Sequence, residues 1–246
     1  MNLVFADPGL QNNLGHHANS CRHIVFEARR RGIPSAVLAY KQIEPFLRDE
    51  LLATPWFRCH AYGTYDTDPI CGWLSNFDFV ANLTHEDLSC LHGVGREDLI
   101  FFNSAGPGQL MALLRWIQAM PMEQRPTVIV EFGLYAGLVP KETPNGTEYD
   151  LCYQGDPRPT LLRYVARKQL TPVDNSWLKL ATFDARASSI YEKVFDFPVQ
   201  ALPLSNRAVT GCRDRTGVRP VTVAFLGHQR GEKGFGLVPE LAGRLL

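Results

Sequence analysis

Apolar residues gather in short unbroken runs along this chain, and between the runs they recur at helical spacing. Leu3-Val4-Phe5-Ala6 is the first run, and it stops at the turn signal Asp7-Pro8-Gly9. A polar loop, Gln11 to His17, follows. Ala18, Cys21, Val25 and Ala28 then mark one face of a helix, with Ile24 alongside. Arg29-Arg30-Arg31 fall where a last turn favours cations, and Gly32 falls where a C-terminal cap belongs. The chain therefore opens as strand, loop and helix. In a parallel sheet such a loop lies at the carboxyl ends of the strands, where ligands bind. Gly15 would let the backbone approach a ligand, and the helix N-terminus would offer N–H groups to an anion. An ordinary strand-to-helix connection fits this stretch equally well.

The alternation continues. Ser35 to Tyr40 is a second strand, and residues 42 to 53 form a helical pattern through Ile43, Phe46, Leu47 and Leu51. Trp56 to Tyr62 is a weaker strand, and Ile70 to Val80 fits neither period cleanly. Thr84-His85-Glu86-Asp87 has the shape of a capping box and predicts a helix that starts there, turns Leu88 and Leu91 inward and stops at Gly93. Leu99 to Phe102, Thr127 to Phe132, Leu178 to Phe183 and Val199 to Leu204 are further strands. Helices are expected from Gln109 to Met120, from Asp156-Pro157 onward with Leu161, Leu162, Val165 and Ala166 inward, and from Ala185 to Phe195. Gly133 to Asp150, rich in Gly, Pro, Thr and Asn, is expected to run over the surface. About seven strands alternating with helices predict a Rossmann-like, doubly wound, mostly parallel α/β sheet over residues 1–204.

Residues 205–220 break the pattern. They hold Arg207, Arg213, Arg215 and Arg219 with almost no apolar periodicity, and are read as a linker. Residues 221–246 supply one buried strand, Val221 to Gly227, and one helix with Leu237, Val238, Leu241 and Leu245 in step. One such pair cannot bury its own faces, since an α/β domain needs on the order of 100 residues. The pair is expected to be the start of a second domain, and the chain the front part of a longer protein.

Composition narrows the function classes. Among 246 residues, Lys+Arg and Asp+Glu are both 25, which argues against nucleic acid as a partner. No apolar run approaches the roughly 18 residues of a transmembrane helix, although contact with a membrane surface stays open. Six cysteines without a Cys-x-x-Cys pair point to reduced thiols, a cytoplasmic location and no zinc site. Asp66-Thr67-Asp68 matches a metal-holding Asp-x-Asp pattern, but is read as loop. Asp7, Glu131 and Asp184 each end a predicted strand on the ligand side, where a carboxylate could serve as general base. The absence of Gly-x-Gly-x-x-Gly after the first strand weighs against a dehydrogenase.

Two segments carry a family resemblance. Gly15-His16-His17-Ala18-Asn19, followed by Glu27 to Gly32, resembles the acceptor-domain opening of group 1 (GT-B fold) glycosyltransferases. Phe225-Leu226-Gly227-His228-Gln229-Arg230-Gly231-Glu232-Lys233-Gly234-Phe235, followed by Pro239-Glu240, resembles their donor-domain opening. Arg230 and Lys233 stand closer together than in many members, and Asn103-Ser104 stands where many place a histidine. The resemblance implies two Rossmann-like domains facing across a cleft, and transfer of a sugar from a nucleotide-sugar to a saccharide or other hydroxyl acceptor. It implies a hexosyltransferase-like activity that uses neither a metal ion nor a cofactor beyond the donor. Arg230 and Lys233 would neutralise the departing diphosphate, and Gly15 would approach it from the other side. His16, His17 and Glu131 would face the sugar or acceptor, with His16 preferred of the two rings. The glutamate pair that members carry deep in the second domain is missing, so this chain alone is expected to be inactive. The same layout also fits a non-catalytic GT-B-like module that recognises a glycan or a partner subunit.

Overall fold

The computed structural model describes residues 1–63, 65, 72–133, 139–144, 146–150, 156–170, 175–183 and 185–202. Strand β1 (Leu3–Asp7) leads to helix α1 (His16–Arg30), β2 (Ser35–Tyr40), α2 (Pro45–Leu51), β3 (Ala53–Phe57) and α3 (Trp73–Ser89). Then come β4 (Leu99–Phe102), α4 (Pro107–Gln118), a short 3-10 turn (Met122–Gln124) and β5 (Thr127–Glu131). A hairpin of β6 (Val139–Thr143) and β7 (Gly146–Asp150) precedes α5 (Arg158–Gln169), β8 (Leu178–Thr182), α6 (Ala185–Phe195) and β9 (Val199–Ala201).

Seven strands form one sheet in the order β3-β2-β1-β4-β5-β8-β9, and all of its pairs are parallel. The fold is thus a Rossmann-like, doubly wound α/β sheet. Alternation along β1 divides the core. Leu3 and Phe5 face α1 and α2 together with Val37, Ala39 and Phe101. Val4 and Ala6 face the opposite layer with Leu38, Phe102, Val128 and residues of α3 to α6. Both faces are covered, so each central strand reads as a continuous apolar run. Strand order reverses between β1 and β4, and that reversal opens a crevice at their carboxyl ends.

Helix α1 ends as its sequence predicts. Gly32 takes φ +74°, its N–H donates to the Arg29 carbonyl at 3.0 Å, and the Ile33 N–H donates to Ala28 at 2.9 Å. Those two bonds are a Schellman cap, and the left-handed residue they need is most easily a glycine.

Several elements differ from their predicted bounds. The expected helix start at Thr84 is overturned: α3 begins at Trp73, and Thr84 lies inside it, 1% exposed. Phe77, Val80, Ala81 and Leu88 continue one buried face through Thr84, so tertiary burial overrides the local cap signal. Helix α2 ends at Leu51, and Leu52 turns the chain at φ +53° directly into β3. The third strand therefore lies earlier than Trp56 to Tyr62. Pro55 is tolerated in it because β3 is a sheet edge. Helix α4 starts at Pro107, whose missing N–H costs nothing in a first turn. The stretch after Gly133, expected to run over the surface, includes the antiparallel β6–β7 hairpin. Residues 205–246, with the linker, Arg230 and Lys233, lie outside the described residues, as do Asp66, Asp68 and Asp184. Among the described residues no helix is long and apolar enough to cross a membrane.

Gly108 sets how closely α4 approaches α3. A β-carbon there would lie 2.9 Å from Val80 Cγ1 and 3.1 Å from the Phe77 carbonyl oxygen. Gly108→Ala should destabilise the domain by about 1–3 kcal/mol through overpacking. The expected sign is a lower urea midpoint with an unchanged slope.

Candidate functional site

The last residue of β1 is the centre of the crevice. Asp7 is fully buried, and its carboxylate accepts the Gly9 N–H at 2.7 Å and the Asn103 side-chain amide at 2.7 Å. His17, 6% exposed in the first turn of α1, places Nδ1 2.9 Å from both carboxylate oxygens. A carboxylate with no exposure is expensive unless it is paired and fully hydrogen-bonded, and these three groups supply both needs. Burial alone would favour neutral His17, but the Asp7 charge and hydrogen bond, with Glu131 adding, raise its pKa.

Gly9 is fixed by this pair. A β-carbon on it would lie 2.1 Å from His17 Cε1. Asn103 joins from the end of β4, with its N–H donating to the Ala6 carbonyl at 2.9 Å. Its side-chain oxygen is buried and has no hydrogen-bond partner among the described residues.

A second layer covers the pair. The His16 and His17 rings stack with centroids 4.2 Å apart. His16 is exposed, and its Nε2 lies 2.9 Å from Ser104 Oγ. Ser104 is buried and held at φ +55°, a left-handed conformation uncommon for a residue with a side chain. The Tyr62 hydroxyl lies 3.2 Å from His17 Nε2. Burial pushes the Tyr62 phenol up, and the nearby Ser104 side chain acts against that. His60 meets the rings of Tyr40 and Tyr62 edge-on and extends an aromatic rim. Burial, reinforced by His17, lowers its pKa.

Glu131 closes the crevice from the end of β5. It is 9% exposed, and burial, with the Asp7 charge adding and His17 opposing, pushes its carboxyl up to about 7. Gly15 enters α1 at φ +79°, with open space where a side chain would be. The fold therefore brings Gly15, His16, His17, Glu131 and the strand-end candidate Asp7 to one end of the sheet and adds Asn103, Ser104 and Tyr62. Arg230 and Lys233 are not among the described residues. The position of Asp7 at a strand end was legible, whereas its partners depend on which strands become neighbours. Tyr62 follows an edge strand and carries no sequence signal at all.

Chemically, the crevice offers a buried carboxylate–imidazole pair, an exposed second imidazole and a carboxyl that titrates near neutrality. It suits a hydroxyl-bearing ligand that must be oriented and relieved of a proton. Among the described residues no group of three His, Cys, Asp or Glu side chains could hold a metal ion.

Glu131 makes stability depend on pH. Its folded value of about 7 exceeds the ordinary 4.5. Its favourable contribution is thus full below that ordinary value and lost as pH rises through about 7. Glu131→Gln should match the wild type near pH ~4 and exceed it by on the order of 3 kcal/mol at pH ~8. Urea unfolding at the two pH values checks this, and equal differences at both would contradict it.

No protein-family model matches the sequence, and no curated protein matches it.

Proposed function

We propose that this chain is the acceptor-side part of a GT-B-type glycosyltransferase with the opening of its donor side, and that the complete enzyme transfers a sugar from a nucleotide-sugar to a hydroxyl acceptor. The observation that carries this reading is the start of α1 at the strand-order reversal. Gly15 turns the chain at φ +79°, and exposed His16 stands directly beside it. Helix α1 has no side-chain N-cap bond and no acidic residue in its first turn. An N-terminus of that kind favours an anion such as a diphosphate. Asp7 and Glu131 end neighbouring parts of the same crevice, where an acceptor hydroxyl would lie.

In this reading Gly15 lets the backbone approach the diphosphate. By the family resemblance, Arg230 and Lys233 would stabilise the charge that develops as the nucleotide leaves. Such contacts lower a barrier because they are stronger in the transition state than with the intact donor. His16, against the His17–Asp7 pair, and Glu131 orient the acceptor.

One observation favours a second reading, a glycan-binding module without turnover. Half-exposed Tyr62 and Trp73 line a cavity together with Asn76, Gln109 and Arg158. Aromatic faces beside amide and guanidinium donors suit a sugar ring.

The deciding test is a panel of nucleotide-sugars with simple hydroxyl acceptors, run on the longest polypeptide that the reading frame encodes. Transfer from one donor is expected, with Lys233→Ala lowering kcat by about 10²–10³-fold. Unchanged activity in that variant would remove the diphosphate role. Glycan binding without turnover on any donor would replace the transferase reading with the binding module.

A further inference from the structure

The start of α4 borders a cavity at the carboxyl end of the sheet. Gly106, Gly108 and Gln109 line it together with Tyr62, Trp73 and Arg158. Tyr62 belongs to both the cavity and the Asp7 crevice, since its hydroxyl lies 3.2 Å from His17 Nε2. Helix α4 runs for 12 residues, and no side chain caps it. Its first internal bond runs from the Leu110 N–H to the Gly106 carbonyl at 2.9 Å, so the N–H groups of Gly108 and Gln109 precede the bonded ladder. Such a turn attracts negative charge, but alone it is only a helix end.

The Gln109 side chain makes it more than that. Gln109 is 3% exposed and lines the cavity, and its amide has no hydrogen-bond partner among the described residues. A buried carboxamide left without a partner is costly, and a ligand in the cavity would remove the cost. Gly106 makes room for the side chain, because a β-carbon there would lie 2.5 Å from Gln109 Oε1.

The other polar groups of the cavity donate. Asn76, 7% exposed, accepts the Tyr65 N–H on Oδ1 at 2.7 Å, which leaves its own N–H groups as donors. Arg158 is held by Asp156 through Nε at 2.8 Å and Nη2 at 2.7 Å. Asp156 offsets that charge, so the first turn of α4 and the two amides carry the preference for an anion. Among the described residues no Asp or Glu lines the cavity. Trp73 and Tyr62, both half exposed, add ring faces to this set of donors.

We infer that the cavity binds an acidic sugar, a ring that carries a carboxylate or a phosphate, with the oxyanion at the first turn of α4 and the ring against Trp73 and Tyr62. This rests on the sugar-binding reading of the same cavity and names the class of sugar. The Gln109 amide N–H groups meet the oxyanion, and its oxygen accepts from a neighbouring sugar hydroxyl. Held there, the ring lies beside Tyr62 and so at the edge of the crevice.

The test is a nitrogen-15 NMR titration of the whole chain with glucuronate, glucose 6-phosphate, glucose and inorganic phosphate, read at the Gly108 amide and the Gln109 side-chain amide. The better of the two acidic sugars should bind at least about tenfold more tightly than glucose, as a hydrogen bond to a charged group predicts, and it identifies the anion. Inorganic phosphate should bind more weakly than that sugar, because it brings no ring to Trp73. Gln109→Leu should weaken the acidic sugar by about tenfold. Trp73→Ala, at a half-exposed position expected to fold, should weaken every sugar and leave inorganic phosphate unchanged. Near-UV circular dichroism checks both variants, and the wild-type comparison needs neither. Equal affinity for glucose and both acidic sugars would overturn the acidic class and leave a cavity for neutral sugars. Inorganic phosphate binding as tightly as the acidic sugars would overturn the role of the ring, and no response to any sugar would remove the cavity as a sugar site. No donor is present, so none of these outcomes touches the transferase reading, which stands or falls on transfer.

Discussion

Everything at the working end of this fold answers to one buried charge. The Asp7 carboxylate has no exposure, and its neighbours Gly9, Asn103 and His17 come from three separate segments. Removing an ion from water costs several kcal/mol even after relaxation, and only good pairing with saturated hydrogen bonding offsets it. That requirement fixes the turn after β1, the end of β4 and the first turn of α1 relative to one another. The sheet order makes it possible, because β1 and β4 are adjacent only where the winding reverses.

The rest of the domain divides its labour around this point. Apolar alternation on β1 sends Phe5 to one helical layer and Val4 to the other, which locks the strand and its last residue in place. Ring packing of Phe5 on Phe101, stacked nearly parallel with centroids 5.6 Å apart, ties β1 to β4 just below the crevice. Precision at Asp7 is therefore inherited from close packing one turn of side chains away. The outer groups, His16, Tyr62 and His60, lie on segments with fewer such constraints, as suits groups that meet a ligand.

The fold was legible in the sequence to the extent that local and tertiary preferences agreed. Central strands, covered on both faces, showed as apolar runs, and α1 carried its own stop in Gly32. Thr84 marks where agreement ended. Its chemistry favours a helix start, but a hydroxyl that finds burial within α3 does not need to cap anything. The site was legible only by position. Gly15, His16, His17 and Glu131 stand at predicted element ends, and strand ends are where α/β folds bind ligands. Ser104 and Tyr62 were not identifiable as partners. A left-handed serine has no composition signal, and a loop tyrosine meets His17 only through the three-dimensional path of the chain.

The contact between Gly9 and His17 has a consequence for how this protein can change over generations. Because the imidazole fills the space where a side chain on Gly9 would be, the two positions are not independent variables. A lineage can shed the ring at 17 first and later acquire alanine at 9, but the reverse order passes through an intermediate in which two atoms claim the same volume. Once alanine is established at 9, a histidine at 17 would have to swing its ring away from Asp7 to be accommodated. A side chain at 9 and an imidazole paired with Asp7 at 17 thus compete for one space, and the two positions change as a coupled pair.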